Sequence, residues 1–186
     1  MEDSKTAMPP RSLLAWMFVP FAVTVLVDQL TKWWIRTTPE FHRFDVVEGW
    51  FQLYYTLNPG MALGLDWFPT PVVSTVAIVA TIGIFTYVLA NLSQATRSYV
   101  VCMGFVLGGA VGNIIDRLFL AVIEGYGGIL DGHVVDFLHF DLHISGTPVF
   151  PYIFNVADVA ISVSIGFMIL FHRWVIPTQA EPTPQS

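Results

Sequence analysis

Four stretches of the chain, at about 13–34, 71–90, 99–118 and 152–175, are nearly unbroken apolar runs. Each is long enough to cross a bilayer as a helix, which takes about 20 residues. The apolar part of the first run, Leu13–Val27, is not followed by a small-residue cleavage site. Asp28, Gln29, Lys32, Trp33 and Trp34 come next instead, so it is expected to stay in place as a helix ending in aromatic interface anchors. The connections carry a different period. In Phe51–Asn58 the apolar residues fall at 51, 53, 55 and 57, which predicts a strand, and Asn58-Pro59-Gly60 predicts the turn that ends it. Leu138, Phe140 and Leu142 alternate with His139, Asp141 and His143 in the same way. The pattern predicts an all-α membrane protein of four transmembrane helices with a small β element on the membrane surface. Residues 1–176 are read as one domain, and the Pro-rich polar tail 177–186 is expected to be disordered.

Composition agrees with this picture. Of 186 residues 54% are hydrophobic and 12% charged, about half the usual charged share, and the mean hydropathy is +0.63. So few charges could not cover a water-soluble fold. A net charge of −6 without a basic block excludes nucleic acid as an expected partner. The single cysteine, Cys102, excludes an internal disulfide and a cysteine-based zinc site. Its mid-helix position reads as inert packing.

Four helices place both termini and the 91–98 connection on one side, and the long connections 35–70 and 119–151 on the other. Lys5, Arg11, Arg97 and Arg173 fall on the first side; Lys32, Arg36, Arg43 and Arg117 fall on the second. That tie leaves orientation open under the positive-inside rule.

Acids inside the runs cost about 2.5–3.5 kcal/mol each on insertion scales and are therefore candidate functional groups. Asp28 and Lys32 end the first run, Asp116 lies near the exit of the third, and Asp158 near the entrance of the fourth. With antiparallel helices all reach the side of the long connections, and Asp116 and Asp158 are expected at one level. Both belong to an Asn-x-x-Asp pattern, Asn113–Asp116 and Asn155–Asp158, which puts each Asn on the face of its Asp. Gly104, Gly108 and Gly112 form a stripe that would admit a neighbouring helix closely, and Gly109, Asn113 and Asp116 line up beside it.

Two carboxylates brought together hold one shared proton. The ionised member can activate water while the protonated member donates to a carbonyl oxygen or leaving amine. The pattern leaves three readings open: hydrolysis by an Asp pair, a proton relay in a transporter or channel, and a purely structural pair.

The motifs Asp28-Gln29-Leu30-Thr31-Lys32, Asn58-Pro59-Gly60-Met61-Ala62-Leu63-Gly64, Gly112-Asn113-Ile114-Ile115-Asp116-Arg117, Val134-Val135-Asp136-Phe137 and Phe154-Asn155-Val156-Ala157-Asp158-Val159-Ala160-Ile161 follow in that order. With the four runs they resemble lipoprotein signal peptidase (signal peptidase II) of bacteria, over about 13–175. The resemblance implies an aspartic endopeptidase of the cytoplasmic (inner) membrane, with both termini cytoplasmic and the β element and active site toward the outer face. Its substrates would be prolipoproteins, cut just before a cysteine that carries diacylglycerol. It implies Asp116 and Asp158 as the catalytic pair. Asp28, Lys32, Asn58, Gly60, Asn113, Arg117, Asp136, Asn155 and Ala157 would be the supporting or substrate-binding residues. No cofactor or metal is implied.

Further roles are expected from position. Asp28 and Lys32 are spaced i,i+4 in the favourable order for an intrahelical ion pair. Asp136 shares parity with Leu138, so it is expected to point toward an apolar face with Arg117 as its partner. His139, Asp141 and His143 could in principle bind a metal, but a solvated strand edge is the expectation. Trp33, Trp34, Trp50 and Trp67 are read as interface anchors. Besides the prolipoprotein, membrane lipids are the expected partners, and the protein is expected to act as a monomer.

Overall fold

The computed structural model describes residues 10–60 and 68–175. The tail 177–186, the motif residues Met61–Gly64, and Trp67 lie outside the described residues. Three helices are long and apolar enough to cross a membrane: α1 (Pro10–Thr37), α2 (Thr70–Ala90) and α3 (Arg97–Glu124). The fourth run differs from its expected span. Ile153–Phe154 pair as a strand and Asn155 caps the helix that follows, so α4 is Val156–Leu170, with 15 residues. At 1.5 Å per residue it is roughly 22 Å long. A one-turn helix, α5 (His172–Val175), follows it.

Glycine sets how closely these helices approach. A Cβ on Gly108 would lie 2.7 Å from the carbonyl oxygen of Phe21, and Gly104 and Gly112 meet α1 just as tightly, at Met17 and Asp28. Gly109 faces the other way, where a Cβ would lie 2.6 Å from the carbonyl oxygen of Ala157 on α4. The Gly104–Gly112 stripe therefore seats α1, and the neighbouring line at Gly109 seats α4, so α3 is the shared partner that brings α1 and α4 together.

The third helix runs six residues beyond its expected end. Apolar Phe119–Ile123 continue the turn, and the left-handed Gly125 (φ 74°) stops it. Asp116 therefore sits eight residues before the helix end, whereas Asp158 is in the first turn of α4. The two acids are not at matching depths in their own helices.

The long connections form a four-stranded antiparallel sheet in the order β1-β2-β3-β6: β1 (Arg43–Val47), β2 (Phe51–Asn58), β3 (Val134–Phe140) and β6 (Ile153–Phe154). A separate two-stranded hairpin joins β4 (His143–Ile144) to β5 (Thr147–Pro148). The expected second strand thus ends at Phe140, and Leu142 lies outside it. Ile35 and Leu120, near the ends of α1 and α3, pack with Leu53, Val135 and Phe137 of the sheet in one buried cluster. This cluster fixes the strand that carries Asp136 against the helix ends.

Candidate active site

The last turns of α1 supply Asp28 and Lys32 to the site. Lys32 Nζ lies 2.9 Å from Asp28 Oδ2, the expected i,i+4 pair, and 2.8 Å from Asp116 Oδ2 on α3. It also donates to Asn113 Oδ1 at 2.8 Å. Lys32, Asp28 and Asp116 are all buried, so the ammonium spends its donors inside the protein. Asp116 is further held by the backbone N–H of Val135 at 3.2 Å and by Gln29 Nε2 at 3.1 Å. Asp28 uses its other oxygen, Oδ1, to accept the backbone N–H of Ala157 at 3.0 Å. That N–H is one of the free donors at the start of α4. A carboxylate on α1 therefore caps α4 through the backbone N–H of Ala157.

Asp158 belongs to that same first turn. Asn155 and Asp158 form a reciprocal cap: Asp158 N–H donates to Asn155 Oδ1 at 3.0 Å, and Asn155 N–H donates to Asp158 Oδ2 at 3.1 Å. Asn113 Nδ2, from α3, donates to Asp158 Oδ1 at 2.9 Å. Asp116 and Asp158 are thus linked through Lys32 and Asn113, with Asn113 accepting from the lysine and donating to Asp158.

Asp136 is the fourth carboxylate of the site, after Asp28, Asp116 and Asp158. Strand alternation sends Val135 and Phe137 into the cluster under the sheet and turns Asp136 away from it. Asn155 Nδ2 donates to Asp136 Oδ1 at 2.6 Å, and Asn58 Nδ2 donates to Oδ2 at 3.0 Å. Asn58 Oδ1 in turn accepts the N–H of Gly60 at 2.9 Å, closing the turn after β2. Gly60 has φ 121°, a conformation open to glycine. Burial, reinforced by the charge of Asp158, pushes the Asp136 carboxyl up to about 7.

The expected Arg117–Asp136 ion pair is not formed among the described residues; asparagine amides hold Asp136 instead. Arg117 is half-buried beside Asp116, Asp136 and Asp158, and its Nη1 is buried without a hydrogen-bond partner. Gln29 is the residue that position alone did not single out. It lies in the Asp28–Lys32 motif, but its link to Asp116 spans 87 residues of sequence. The three histidine-strand residues separate: His139 Nδ1 lies 2.8 Å from Gln52 Nε2, whereas His143 faces Asp141 at 3.5 Å. Trp33, Trp34 and Trp50 are exposed.

Comparison with known proteins adds the family. The model of signal peptidase (SPase) II matches residues 20–174. The lipoprotein signal peptidase of Chlorobium phaeobacteroides is 32% identical over 170 residues, covering 89% of this chain and 94% of that protein. The lipoprotein signal peptidase of Symbiobacterium thermophilum is 37% identical over 156 residues, covering 80% and 88%. A bacterial membrane enzyme solved by the in meso method at 2.3 Å resolution shares the fold, with a TM-score of 0.62, 23% identity, and coverage of 88% of this chain and 92% of that one. The chain belongs to the signal peptidase II family of aspartic peptidases.

Proposed function

We propose that this protein removes the signal peptide from prolipoproteins, cutting before a cysteine that already bears diacylglycerol, and that Asp136 and Asp158 are the reacting pair. The observation that carries the choice of pair is the ion pair of Lys32 with Asp116 at 2.8 Å. A carboxylate neutralised by a buried ammonium and held by two further donors is committed to structure. Asp136 has no cation in hydrogen-bond contact among the described residues, and its carboxyl titrates near 7, where a proton can be held or released at neutral pH. Asp158 is partly exposed and accepts only N–H donors.

In this reading Asp158 takes a proton from water, and the oxygen attacks the scissile carbonyl carbon. Protonated Asp136 donates to the carbonyl oxygen. On collapse of the tetrahedral intermediate Asp158 passes its proton to the leaving amine and a hydroxyl proton returns to Asp136, which leaves a carboxylic acid, an amine and both carboxyls as they began. The buried Nη1 of Arg117 is a donor for a backbone carbonyl of the substrate. An apolar groove of about 480 Å³ between α1, α3 and α4, lined by Val23, Val27, Phe105, Val156, Val159 and Val163 among others, ends beside the first turn of α4. It suits an apolar segment arriving from the lipid. We place four crossings in the membrane, the last made by α4 and α5 together, with both termini cytoplasmic and the sheet at the outer face of the cytoplasmic membrane. The protein works as a monomer beside lipid.

The test is cleavage of a diacylglyceryl-modified prolipoprotein by the detergent-purified protein. Asp136→Asn and Asp158→Asn are expected to fold without cutting, whereas Asp116→Asn retains cleavage. If Asp116→Asn is inert and Asp136→Asn cuts, the pair is Asp116 with Asp158. Equal cleavage of the precursor without diacylglycerol would overturn the lipid requirement.

A further inference from the structure

The second helix carries no charge and reads from its sequence as a plain anchor. Its first two turns nevertheless touch both segments that hold Asp136. Ser74 is fully buried, and its hydroxyl, with one proton to donate, lies 2.8 Å from the carbonyl oxygen of Thr70 in its own helix and 2.9 Å from that of Leu130, 56 residues away. Val73 packs on the Gly60 turn so tightly that a Cβ there would lie 2.9 Å from Val73 Cγ1. That turn supplies Asn58 to Asp136 Oδ2.

Leu130 belongs to the connection between α3 and β3, and it holds φ 75°, a left-handed conformation that costs a non-glycine residue energy. A contact must hold it there. Two residues on, Gly132 N–H donates to the carbonyl oxygen of Arg117 at 3.1 Å. A Cβ on Gly132 would collide with the backbone of Asp116 and Arg117. Val135 N–H then reaches Asp116 Oδ2. The segment 130–135 is therefore a strap laid across α3. Ser74 fixes its outer end, and Asp136 emerges from its inner end.

We propose that Ser74 is a positioning residue for the proteolytic reaction: through the Leu130 carbonyl it sets the strap, and with it the placement of Asp136 against Asn155. This inference rests on Asp136 being a member of the reacting pair. The groups that face Asp136 are Asp158 from α4, Lys32 from α1 and Arg117 from α3. A loosened strap admits water to a carboxyl that burial now protects, so its titration moves down.

The experiment compares Ser74→Ala, Ser74→Thr and Thr75→Ala on a diacylglyceryl-modified precursor. Thr75 is an exposed neighbour whose hydroxyl bonds only within its own helix, to the carbonyl oxygen of Pro71. Ser74→Ala is expected to keep KM, lose about tenfold in kcat, and shift the alkaline limb of kcat/KM to lower pH. Ser74→Thr keeps the hydroxyl and the wild-type limb, and Thr75→Ala behaves as wild type. The proposal is overturned if Ser74→Ala lowers Tm alone, with kcat per folded protein and the limb unchanged, or if the Ser74→Thr limb moves as far as that of Ser74→Ala. Full activity in Asp136→Asn would instead overturn the assignment beneath it, a separate result.

Discussion

Lys32 on α1 and Asp116 on α3 meet at 2.8 Å, and both side chains are shielded from solvent. One ammonium thereby balances two buried carboxylates, Asp28 and Asp116, and the same contacts knot α1 to α3 and, through Asp28 and Ala157, to α4. Removing one member of such a group strands the others. Lys32→Met is expected to destabilise the protein by about 3–5 kcal/mol, because two buried acids lose their cation. Asp116→Asn costs less, since Lys32 keeps Asp28. The double variant should recover part of the loss, and Tm in detergent across the three variants measures that coupling.

With Asp136 as the proposed proton donor, the pH profile is expected to report on its carboxyl. The donor must carry its proton, so kcat/KM is expected to fall as pH rises through about 7, the value to which burial and Asp158 raise this carboxyl. The amide of Asn58 favours the ionised form by donating to it. Asn58→Ala therefore moves the alkaline limb to higher pH, and a limb that stays in place would remove Asp136 from the proton transfer.

Stability should respond to the same group. The raised carboxyl favours the folded state most below its unfolded value of 3.8. That contribution is lost as pH rises toward about 7, at up to about 1.4 kcal/mol per pH unit. Asp136→Asn carries no such charge. Its Tm relative to wild type should thus increase between pH 5 and pH 8, as thermal scans in detergent would show.

Helix spacing gives a fourth expectation. At Gly109 a methyl group would press on Ala157 O and Ile161 Cγ1, at 2.6 and 2.8 Å. Gly109→Ala is expected to push the first turn of α4 outward, cost about 1–3 kcal/mol, and depress cleavage by displacing Asp158. Gly166→Ala, on α4 itself and with nothing within 4 Å of the added carbon, should cleave like the wild type.

The apolar runs, the period-two strand at Phe51–Asn58 and the glycine stripe were readable without coordinates, because each is a local rule of burial or packing. So was the i,i+4 pair of Asp28 with Lys32, whose members lie within one helical turn; the Asn155–Asp158 spacing was legible too, but as a shared helix face, not as the cap it forms. The end of α3 was not, since Arg117 looks like a boundary until the sheet covers the apolar turn that follows it.

What the sequence by itself determined is a membrane protein whose acids, asparagines and one lysine gather on a single side. Which acid pairs with which partner was decided only in three dimensions. Lys32 reaches Asp116 across 84 residues of chain, and Asn155 reaches Asp136 across a strand and a hairpin. Such contacts depend on how closely glycine lets α3 approach its neighbours and on the face to which β3 turns each side chain. Periodicity along one element specifies its own buried face, whereas partners from separate elements are set by the packing of those faces together.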